Sequence, residues 1–285
     1  TAPILSGIPA NITVSCESVP AAASPTASDN CDTDVTLQFV ENIVAGNCND
    51  SYSIVRTWLV TDNCGNNDAQ SQLITVVDDT KPVLSGVPAD ITVECDAVPA
   101  LASPTATDNC DANVDIQFVE NRIAGFCPDS YTLIRQWTAT DNCGNQDIQS
   151  RKITVLDRTA PILSGVPADA TVECDGVPAP ASPTASDNCD TDVTIQFVEN
   201  RVDGRCADSY SSVRTWLATD NCGNNISRSQ LITVVDHSKP VLQNVPADLT
   251  VECDAVPTVA TVEATDNCDT DVLVSFVELR KDGRS

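Results

Sequence analysis

Apolar and polar residues alternate in several short segments of the chain. Between Tyr131 and Ala139, every second residue belongs to one series that includes Leu133 and Trp137, and mostly polar side chains fill the positions between them. The segment 35–41 alternates in the same way. A period of two is that of a β-strand with one buried face, and no stretch carries the 3.6-residue period of an amphipathic helix. The pattern therefore predicts an all-β protein.

The strand pattern recurs with a period of 79 residues. The segment that begins TAPILSG at Thr1 returns in similar form at Thr80, Thr159 and Ser238. A fixed period of this kind is typical of a tandem array. We predict four repeats, which span residues 1–79, 80–158, 159–237 and 238–285. The fourth would lack its last strands, and Ser285 stands where the period would place a cysteine.

Each complete repeat is predicted to hold six or seven short strands. In the first repeat we assign strand A to residues around 11–16, B to 24–30, C to 34–42, F to 52–62 and G to 67–77. Pro, Asn, Asp and Gly separate these segments, as in tight turns. Short antiparallel strands in this number are typical of a small sandwich. The predicted fold class is an all-β tandem array of small immunoglobulin-like antiparallel β-sandwiches, with two disulfides per repeat.

Fourteen cysteines occur, four in each complete repeat, and no two have the spacing Cys-x-x-Cys. This usage favours disulfides in an oxidising, extracellular or cell-surface location. If strands A, B, C and F pair successively in antiparallel fashion, Cys31 lies near Cys64 at one pole, and Cys16 and Cys48 lie at the other. The predicted disulfides are Cys31–Cys64, Cys16–Cys48, Cys110–Cys143, Cys95–Cys127, Cys189–Cys222 and Cys174–Cys206. The sequential pairing, Cys16–Cys31 with Cys48–Cys64, remains open because spacing alone does not determine connectivity.

The chain is strongly acidic, with 41 acidic and 15 basic residues, a formal net charge of −26 and a pI near 4.1. Nucleic acids and anionic membrane surfaces bind basic patches, so neither is an expected partner. No apolar run is long enough to cross a bilayer, so no membrane insertion is expected in this segment. The single histidine, His237, and the lack of phosphate-loop or nucleophile-elbow motifs predict that the chain is not an enzyme.

An acidic signature recurs in the repeats. After strand B the chain reads Asp-Asn-Cys-Asp, after strand F it reads Asp-Asn-Cys-Gly-Asn, and the linker adds a further Asp. These segments are expected at one pole, where their charges repel one another unless a cation lies between them. Carboxylate and amide oxygens bind Ca²⁺, so we predict a structural calcium site where consecutive repeats meet. The candidate ligands are Asp29, Asp32, Asp62, Asp78, Asp108, Asp111, Asp141, Asn142, Asp157, Asp187, Asp190, Asp220, Asn221, Asp236, Asp266 and Asp269. In the alternative interpretation these residues only build turns.

Three segments of the second repeat, Ala106–Cys110, Tyr131–Asn145 and Ile153–Val155, together resemble the hyalin repeat. The resemblance extends to every repeat and centres on the string Thr-Asp-Asn-Cys-Gly-Asn. It is closest to the cysteine-rich form that stands in tandem in large secreted bacterial surface proteins. The resemblance implies an immunoglobulin-like sandwich, an extracellular or surface location and an adhesive or structural role, and it carries no catalytic residues.

These features together predict an extracellular structural or adhesive protein. Linkers such as 76–82 are short and contain a proline, so consecutive repeats would form a stiff rod, stalk or filament stabilised by disulfides and Ca²⁺. Its partners would be further repeats of the same chain or identical chains, and either could complete the fourth repeat. In the alternative, the protein is an adhesin whose repeats bind a surface glycan or a protein ligand.

Overall fold

The computed structural model describes residues 1–206 and 208–281, so Ser285 and the other residues of 282–285 lie outside the described part of the chain. The chain is nearly all-β. It divides into two compact units, Thr1–Phe126 with Ser130–Leu156, and Cys127–Asp129 with Asp157–Ser285. In each unit the sheets recur with the period of the sequence, which confirms the predicted all-β tandem array.

The first unit contains most of repeats 1 and 2, which share one plan. Each repeat has a four-stranded sheet, with the order β2-β6-β5-β4 in repeat 1 and β8-β12-β11-β10 in repeat 2. A two-stranded sheet, β1-β3 or β7-β9, accompanies it. The strands of repeat 1 are β1 (Ile4–Ser6), β2 (Ile12–Ser15), β3 (Thr26–Ser28), β4 (Thr36–Cys48), β5 (Ser51–Thr61) and β6 (Asn67–Val77). Those of repeat 2 are β7 (Val83–Ser85), β8 (Ile91–Val93), β9 (Thr105–Thr107), β10 (Asp115–Ala124), β11 (Tyr131–Thr140) and β12 (Gln146–Val155).

The second unit contains repeat 3 and the described part of repeat 4. Repeat 3 again pairs a four-stranded sheet, β14-β18-β17-β16, with a two-stranded sheet, β13-β15. Its strands are β13 (Ile162–Ser164), β14 (Ala170–Glu173), β15 (Thr184–Ser186), β16 (Thr194–Asp203), β17 (Tyr210–Thr219) and β18 (Asn225–Val235). Repeat 4 has the strand pair β19 (Val241–Gln243) and β20 (Glu263–Thr265). Short 3₁₀ turns occupy Cys16–Ser18, Cys95–Ala97 and Cys174–Gly176.

The core of each sandwich comes from the alternation in the sequence. In repeat 1, Trp58 and Val60 of β5 are 1% and 0% exposed, and they pack against Leu5 of β1. Farther along the sheet, Ile54 and Ile74 join a second buried cluster. Residues two apart on β5 therefore point into the sandwich, as a strand period of two requires.

A buried arginine interrupts this apolar row in every complete repeat. Arg56 is 5% exposed, and its Nε donates a hydrogen bond to Glu41 Oε2 at 2.7 Å. The same bond joins Arg135 to Glu120 at 2.6 Å and Arg214 to Glu199 at 2.9 Å. A buried guanidinium is tolerated when a carboxylate partners it, so this position is structural. The hydrogen bond from Ser212, and after it the one from Arg214, lowers the pKa of the Glu199 carboxyl.

Strand pairing differs from the sequence prediction in one respect. Strand A is expected beside strand B, but β2 instead lies parallel to β6, with Ile12 opposite Ile74. β3, the predicted strand B, pairs with β1, a short strand that the sequence pattern does not reveal. Parallel neighbours are joined by a long crossover, so local alternation carries no signal for them.

This pairing places two cysteines at each pole of a repeat. At the C-terminal pole of repeat 1, Cys16 follows β2 and Cys48 ends β4, close to the last residues of β6. At the N-terminal pole of repeat 2, Cys110 follows β9 and Cys143 follows β11. We call the contact between these two poles joint 1–2, and the corresponding contact in the second unit joint 3–4.

The disulfides cross from one repeat to the next. At joint 1–2, Cys16 bonds to Cys110 with Cα atoms 5.9 Å apart, and Cys48 bonds to Cys143 with Cα atoms 5.0 Å apart. Within the second unit the bonds are Cys127–Cys222, at 5.1 Å, and Cys174–Cys268, at 5.6 Å. Each bond joins cysteines 94 or 95 residues apart, more than one repeat.

All six predicted disulfides are therefore wrong, and so is the sequential alternative. The contradicted pairs are Cys31–Cys64, Cys16–Cys48, Cys110–Cys143, Cys95–Cys127, Cys189–Cys222 and Cys174–Cys206. In the described structure Cys31, Cys64, Cys206 and Cys253 are free thiols. The physical reason is that the facing poles bring cysteines such as Cys16 and Cys48 within bonding distance of cysteines in the neighbouring repeat. The prediction fails because it treats each repeat as a closed disulfide framework.

Candidate cation site at the joint between repeats

The acidic segments at the N-terminal pole of repeat 2 fold as two linked turns. Asp108 Oδ1 accepts hydrogen bonds from the N–H groups of Cys110 and Asp111, at 2.8 and 2.9 Å. Asp111 Oδ2 accepts one from the N–H of Asn142 at 2.9 Å, which ties this turn to the turn after β11. Aspartate recurs here because its side chain bonds the backbone of a tight turn.

The second turn is built on Asp141, which is 5% exposed. Its Oδ1 accepts hydrogen bonds from the N–H groups of Cys143 and Asn145, both at 2.9 Å, and its Oδ2 accepts one from Asn145 Nδ2 at 2.8 Å. Gly144 follows with φ at +91°, a conformation that a side chain would strain. The order Asp-Asn-Cys-Gly-Asn is thus explained by the turn itself.

The linker from repeat 1 brings Asp78 to these turns. Its N–H donates to Ser51 Oγ at 3.2 Å, and its carbonyl oxygen accepts a hydrogen bond from Asn145 Nδ2 at 3.3 Å. Its Oδ1 accepts a hydrogen bond from the N–H of Thr80 at 3.3 Å. These bonds hold Asp78, which is 8% exposed, on the joint between the two repeats.

Two carboxylate oxygens at joint 1–2 are buried without a hydrogen-bond partner, Asp78 Oδ2 and Asp108 Oδ2. One carboxylate oxygen from each residue and the sulfur of Cys110 lie within 4.8 Å of one another. Cys110 is in a disulfide, so its sulfur is not a thiolate ligand. Buried carboxylate oxygens are costly unless a donor or a cation satisfies them. This set of carboxylate oxygens fits the donor preference of Ca²⁺.

Several carboxylates lie close to Asp78 at joint 1–2. Burial raises the pKa of Asp78 above its ordinary value, the hydrogen bond from Thr80 lowers it, and the charges of Asp108, Asp141 and Asp50 raise it. Nearby like charges disfavour ionisation. A bound cation would favour the ionised form and reverse that effect.

The second unit contains a corresponding cluster. One carboxylate oxygen each from Asp157, Asp187 and Asp220 lie within 4.8 Å of one another. By the 79-residue period these three residues correspond to Asp78, Asp108 and Asp141 of the first unit. Asp157 and Asp220 are 2% and 6% exposed. In each unit the linker aspartate and the aspartate after the second long strand are buried, and the third aspartate, Asp108 or Asp187, is half-buried.

Joint 3–4 has a different set of acidic side chains. Oxygens of Glu173 and Asp236 lie within 4.8 Å of each other and of the Cys268 sulfur. Glu173 also contacts His237, with Oε1 3.3 Å from Nδ1. Asp266 Oδ1 accepts the N–H of Cys268 at 2.9 Å, and its Oδ2 is buried without a partner. Asp269 Oδ1 accepts the N–H of Asp271 at 2.7 Å.

Repeat 1 repeats the turn geometry at its N-terminal pole. Asp29 Oδ1 accepts the N–H of Cys31 at 2.8 Å, and Asp32 Oδ2 accepts the N–H of Asn63 at 2.8 Å. Asp62 accepts hydrogen bonds from the side chain and backbone of Asn66, and these bonds lower its pKa. Here the predicted ligands Asp29, Asp32 and Asp62 act in turns.

The predicted ligands at joint 1–2 thus fall into two groups. Carboxylate oxygens of Asp78 and Asp108 meet, and Asp141 is near enough for its charge to raise the pKa of Asp78, whereas both oxygens of Asp111 accept backbone hydrogen bonds. The Asn142 side chain donates across the joint to Asp50 instead of joining the trio. In the second unit, Asp190 Oδ2 accepts the N–H of Asn221 at 2.9 Å, and Asn221 Nδ2 donates to Asp129 Oδ2.

Asp50 and Asp129 are functional residues that the sequence reasoning missed. They lie in the hairpin after β4 and in the loop after β10, and each bonds an asparagine of the following repeat. The signal was present, because Asp50, Asp129 and Asp208 recur with the 79-residue period. The recurrence is not apparent because the other residues of this loop differ from one repeat to the next.

Fold and joints together define a class, tandem β-sandwich repeats whose disulfides and acidic turns lie where consecutive repeats meet. The model of the HYR-like domain with 4 cysteines matches residues 5–76 and 163–234, together about half of the chain. The chain belongs to this family. No curated protein sequence matches it.

Cadherin extracellular domains are among the solved structures to which this chain shows a low similarity. The protocadherin γB4 extracellular domain has 14% identity and a TM-score of 0.39, over 92% of this chain and 55% of that chain. Drosophila N-cadherin EC1-3 has 14% identity and a TM-score of 0.30, over 80% of this chain and 99% of that chain. Mouse cadherin-23 EC22-24 has 14% identity and a TM-score of 0.36, over 82% and 99%. Likenesses at this level carry no argument about function. Among the described residues, no helix has the length and apolar character needed to cross a membrane.

Proposed function

We propose that this chain belongs to an extracellular structural protein, in which disulfides link the tandem sandwiches end to end into a stiff rod, stalk or filament. The observation that carries the proposal is the pair of disulfides, Cys16–Cys110 and Cys48–Cys143, that connects one repeat to the next. A disulfide inside a domain stabilises that domain alone. A pair of disulfides between domains also restricts the angle between them.

Joint 1–2 has further restraints beside its two disulfides. The linker runs through Pro82, a fully buried residue with a fixed φ. Asn142 donates a hydrogen bond to Asp50, and Asn145 donates one to the Asp78 carbonyl. The repeats are thus attached at the linker and at two separate cysteine pairs, which opposes both bending and rotation.

The disulfides also support an extracellular location, because such bonds persist in oxidising compartments. Tandem repeats of this family suit a large secreted surface protein of the bacterial type. The partners of this segment would be further repeats of the same chain or identical chains. A sugar-binding role has less support, because Trp58, Trp137 and Trp216 are 1–2% exposed and offer no stacking surface.

Reduction is expected to make the rod flexible. Negative-stain electron microscopy of the non-reduced protein should show elongated particles with a narrow distribution of end-to-end distances. Mild reduction that leaves the circular dichroism spectrum intact should broaden that distribution, because only the linkers and a few hydrogen bonds would still connect the repeats. Compact particles before reduction, or an unchanged distribution after it, would contradict the rod.

Calcium is the second part of the proposal. Asp78, Asp108 and Asp141 present carboxylate oxygens at joint 1–2, and two of these oxygens are buried without a partner. Ca²⁺ takes six to eight oxygen ligands and accepts carboxylates, backbone carbonyls and water. A bound ion would neutralise the crowded charge and hold the linker of repeat 1 against the turns of repeat 2.

Asp78→Asn is expected to remove the calcium response of joint 1–2. In the wild type, Ca²⁺ at about 100 times its Kd should stabilise the folded protein by about 2.7 kcal/mol per site, and matched Mg²⁺ should do less. The variant should bind one ion fewer per chain in isothermal titration calorimetry. In EDTA its Tm should equal or exceed that of the wild type, because a buried charge has been removed.

The matched control is Asp79→Asn, since Asp79 is the exposed neighbour of Asp78. It should bind as many ions as the wild type. Equal stabilisation by Ca²⁺ and Mg²⁺ would contradict a calcium-selective site, and the same ion count in both variants would show that Asp78 only builds the joint and holds no ion.

A further inference from the structure

The strand β10 forms a long exposed edge of its sheet. It pairs with β11 along one side, over the full length Asp115–Ala124, and no strand of the described residues lies along its other side. Nine of its ten residues are exposed. β4 and β16 occupy the same edge position in repeats 1 and 3. An edge of this kind presents a row of backbone N–H and C=O groups to any strand that can pair with it.

The edge of β10 carries three charged residues, Asp115, Glu120 and Arg122, but it lacks three other common protections. Edge strands are normally blocked by lysine, proline or a bulge. β10 contains neither lysine nor proline, and its register with β11 is regular throughout. Instead it exposes Val119 by 53% and Ile123 by 57% on one face, and Phe118 by 38% on the other. The strand is therefore open to pairing, and it exposes apolar side chains on both faces, beside the charged Glu120 and Arg122 on the face of Phe118.

The sequence of β10 is complementary to itself in one register. Two identical antiparallel strands are related by a two-fold axis normal to the sheet. Residues directly opposite each other point to the same face, so the axis must set one residue opposite its own copy. With Asn121 opposite Asn121 of a second copy, Val119 faces Ile123 and Glu120 faces Arg122. Apolar pairs and opposite charges in facing positions stabilise antiparallel strands.

The neighbouring registers are disfavoured. An axis through Glu120 sets Glu120 against itself, and an axis through Arg122 sets Arg122 against itself. Like charges directly opposite destabilise a strand pair. The pattern recurs in the other repeats, since Val198, Glu199, Arg201 and Val202 stand in the same order in β16, and Val40 and Val44 flank Asn42 in β4.

We propose that the β10 edge is an interface between two copies of this chain, formed by antiparallel pairing centred on Asn121. The occupant is a second copy of this chain because β10 is self-complementary in this register, with Glu120 opposite Arg122 and Val119 opposite Ile123. Glu120 keeps its bond to Arg135 and is 38% exposed on its side chain, while Arg122 lies 3.9 Å over the ring centroid of Tyr131. Both side chains thus already contact residues of β11, and pairing across the open edge would add a second contact to each. The net charge of −26 opposes association at long range, so pairing should strengthen as salt screens it.

The test uses sedimentation velocity of the full chain over a concentration series, with free thiols blocked by iodoacetamide. The wild type should form a reversible dimer that tightens between low and physiological salt. Val119→Lys with Ile123→Lys places lysine opposite lysine in the proposed register and should weaken dimerisation about ten-fold or more. Val119→Lys with Ile123→Glu places opposite charges face to face and should stay within about three-fold of the wild type.

The control is Ile148→Lys, which adds a charge at a 53% exposed position on β12, away from the edge. It should leave dimerisation unchanged. A monomer at all concentrations would overturn the proposal and leave the edge to another occupant or to none. Equal weakening by the two double variants, or weakening by Ile148→Lys, would overturn the register.

Discussion

Replacing Trp137 with alanine is expected to lower the free energy of unfolding of repeat 2 by about 3–5 kcal/mol, the usual cost of truncating a buried tryptophan. Trp137 is 2% exposed and packs with Leu84 and Ala139 at the centre of its core cluster. Its ring centroid lies 5.4 Å from that of Phe118. The core of so small a sandwich has no second residue of this volume to fill the cavity.

The three tryptophans make this effect measurable within one repeat. After Trp137→Ala, the remaining fluorescence comes from Trp58 in repeat 1 and Trp216 in repeat 3, while circular dichroism reports on every repeat. The denaturation curve by circular dichroism should therefore gain an early step that the fluorescence curve lacks. Ile148→Ala, at a 53% exposed position, is the control and should change stability by less than about 0.5 kcal/mol. A Trp137→Ala curve that overlays the wild type would contradict the assigned core.

Removing the Cys48–Cys143 disulfide is expected to lower the stability of the first unit by about 2–4 kcal/mol. The double variant Cys48→Ser with Cys143→Ser leaves no unpaired thiol from this bond. The bond joins cysteines 95 residues apart. Its loss raises the conformational entropy of the unfolded chain and so lowers the stability of the folded state. Thermal unfolding under non-reducing conditions measures the change.

The matched control separates the two possible connectivities. Cys31→Ser with Cys64→Ser removes two thiols that are free in the structure, so it should leave the Tm unchanged. Pairing within the repeat predicts the opposite, a large loss from this control. A control variant as unstable as Cys48→Ser with Cys143→Ser would therefore contradict disulfides that cross the joint.

Local patterns in the sequence are enough to predict the elements and the array. The alternation around Trp137 places β11 and its buried face, and the 79-residue period predicts sheets that recur in both units. The pairing of β2 with β6 is not predictable in this way, because it is parallel and distant in sequence. β1 is only three residues long, too short for alternation to show.

The sequence predicts only part of the structure of the joint. The repeated Asp-Asn-Cys signature indicates an acidic pole, and Asp78 and Asp108 do meet there, with Asp141 close enough to act on Asp78 electrostatically. Which oxygens bond to turn backbone, as those of Asp111 do, depends on turn geometry that composition does not contain. The disulfide pairing is not predictable from the sequence. The 79-residue period shows which cysteines are equivalent, but it does not show whether a bond joins two cysteines of the same repeat or of consecutive repeats.

Peptide mapping of the non-reduced protein tests the central claim, that disulfides connect consecutive repeats. With free thiols blocked at acidic pH to prevent exchange, tryptic digestion yields Ile123–Arg135 and Thr215–Arg228, each with one cysteine, Cys127 or Cys222. The structure predicts these two peptides joined as one species that reduction separates. Finding Ile123–Arg135 joined instead to the peptide that holds Cys95, within the same repeat, would contradict the account.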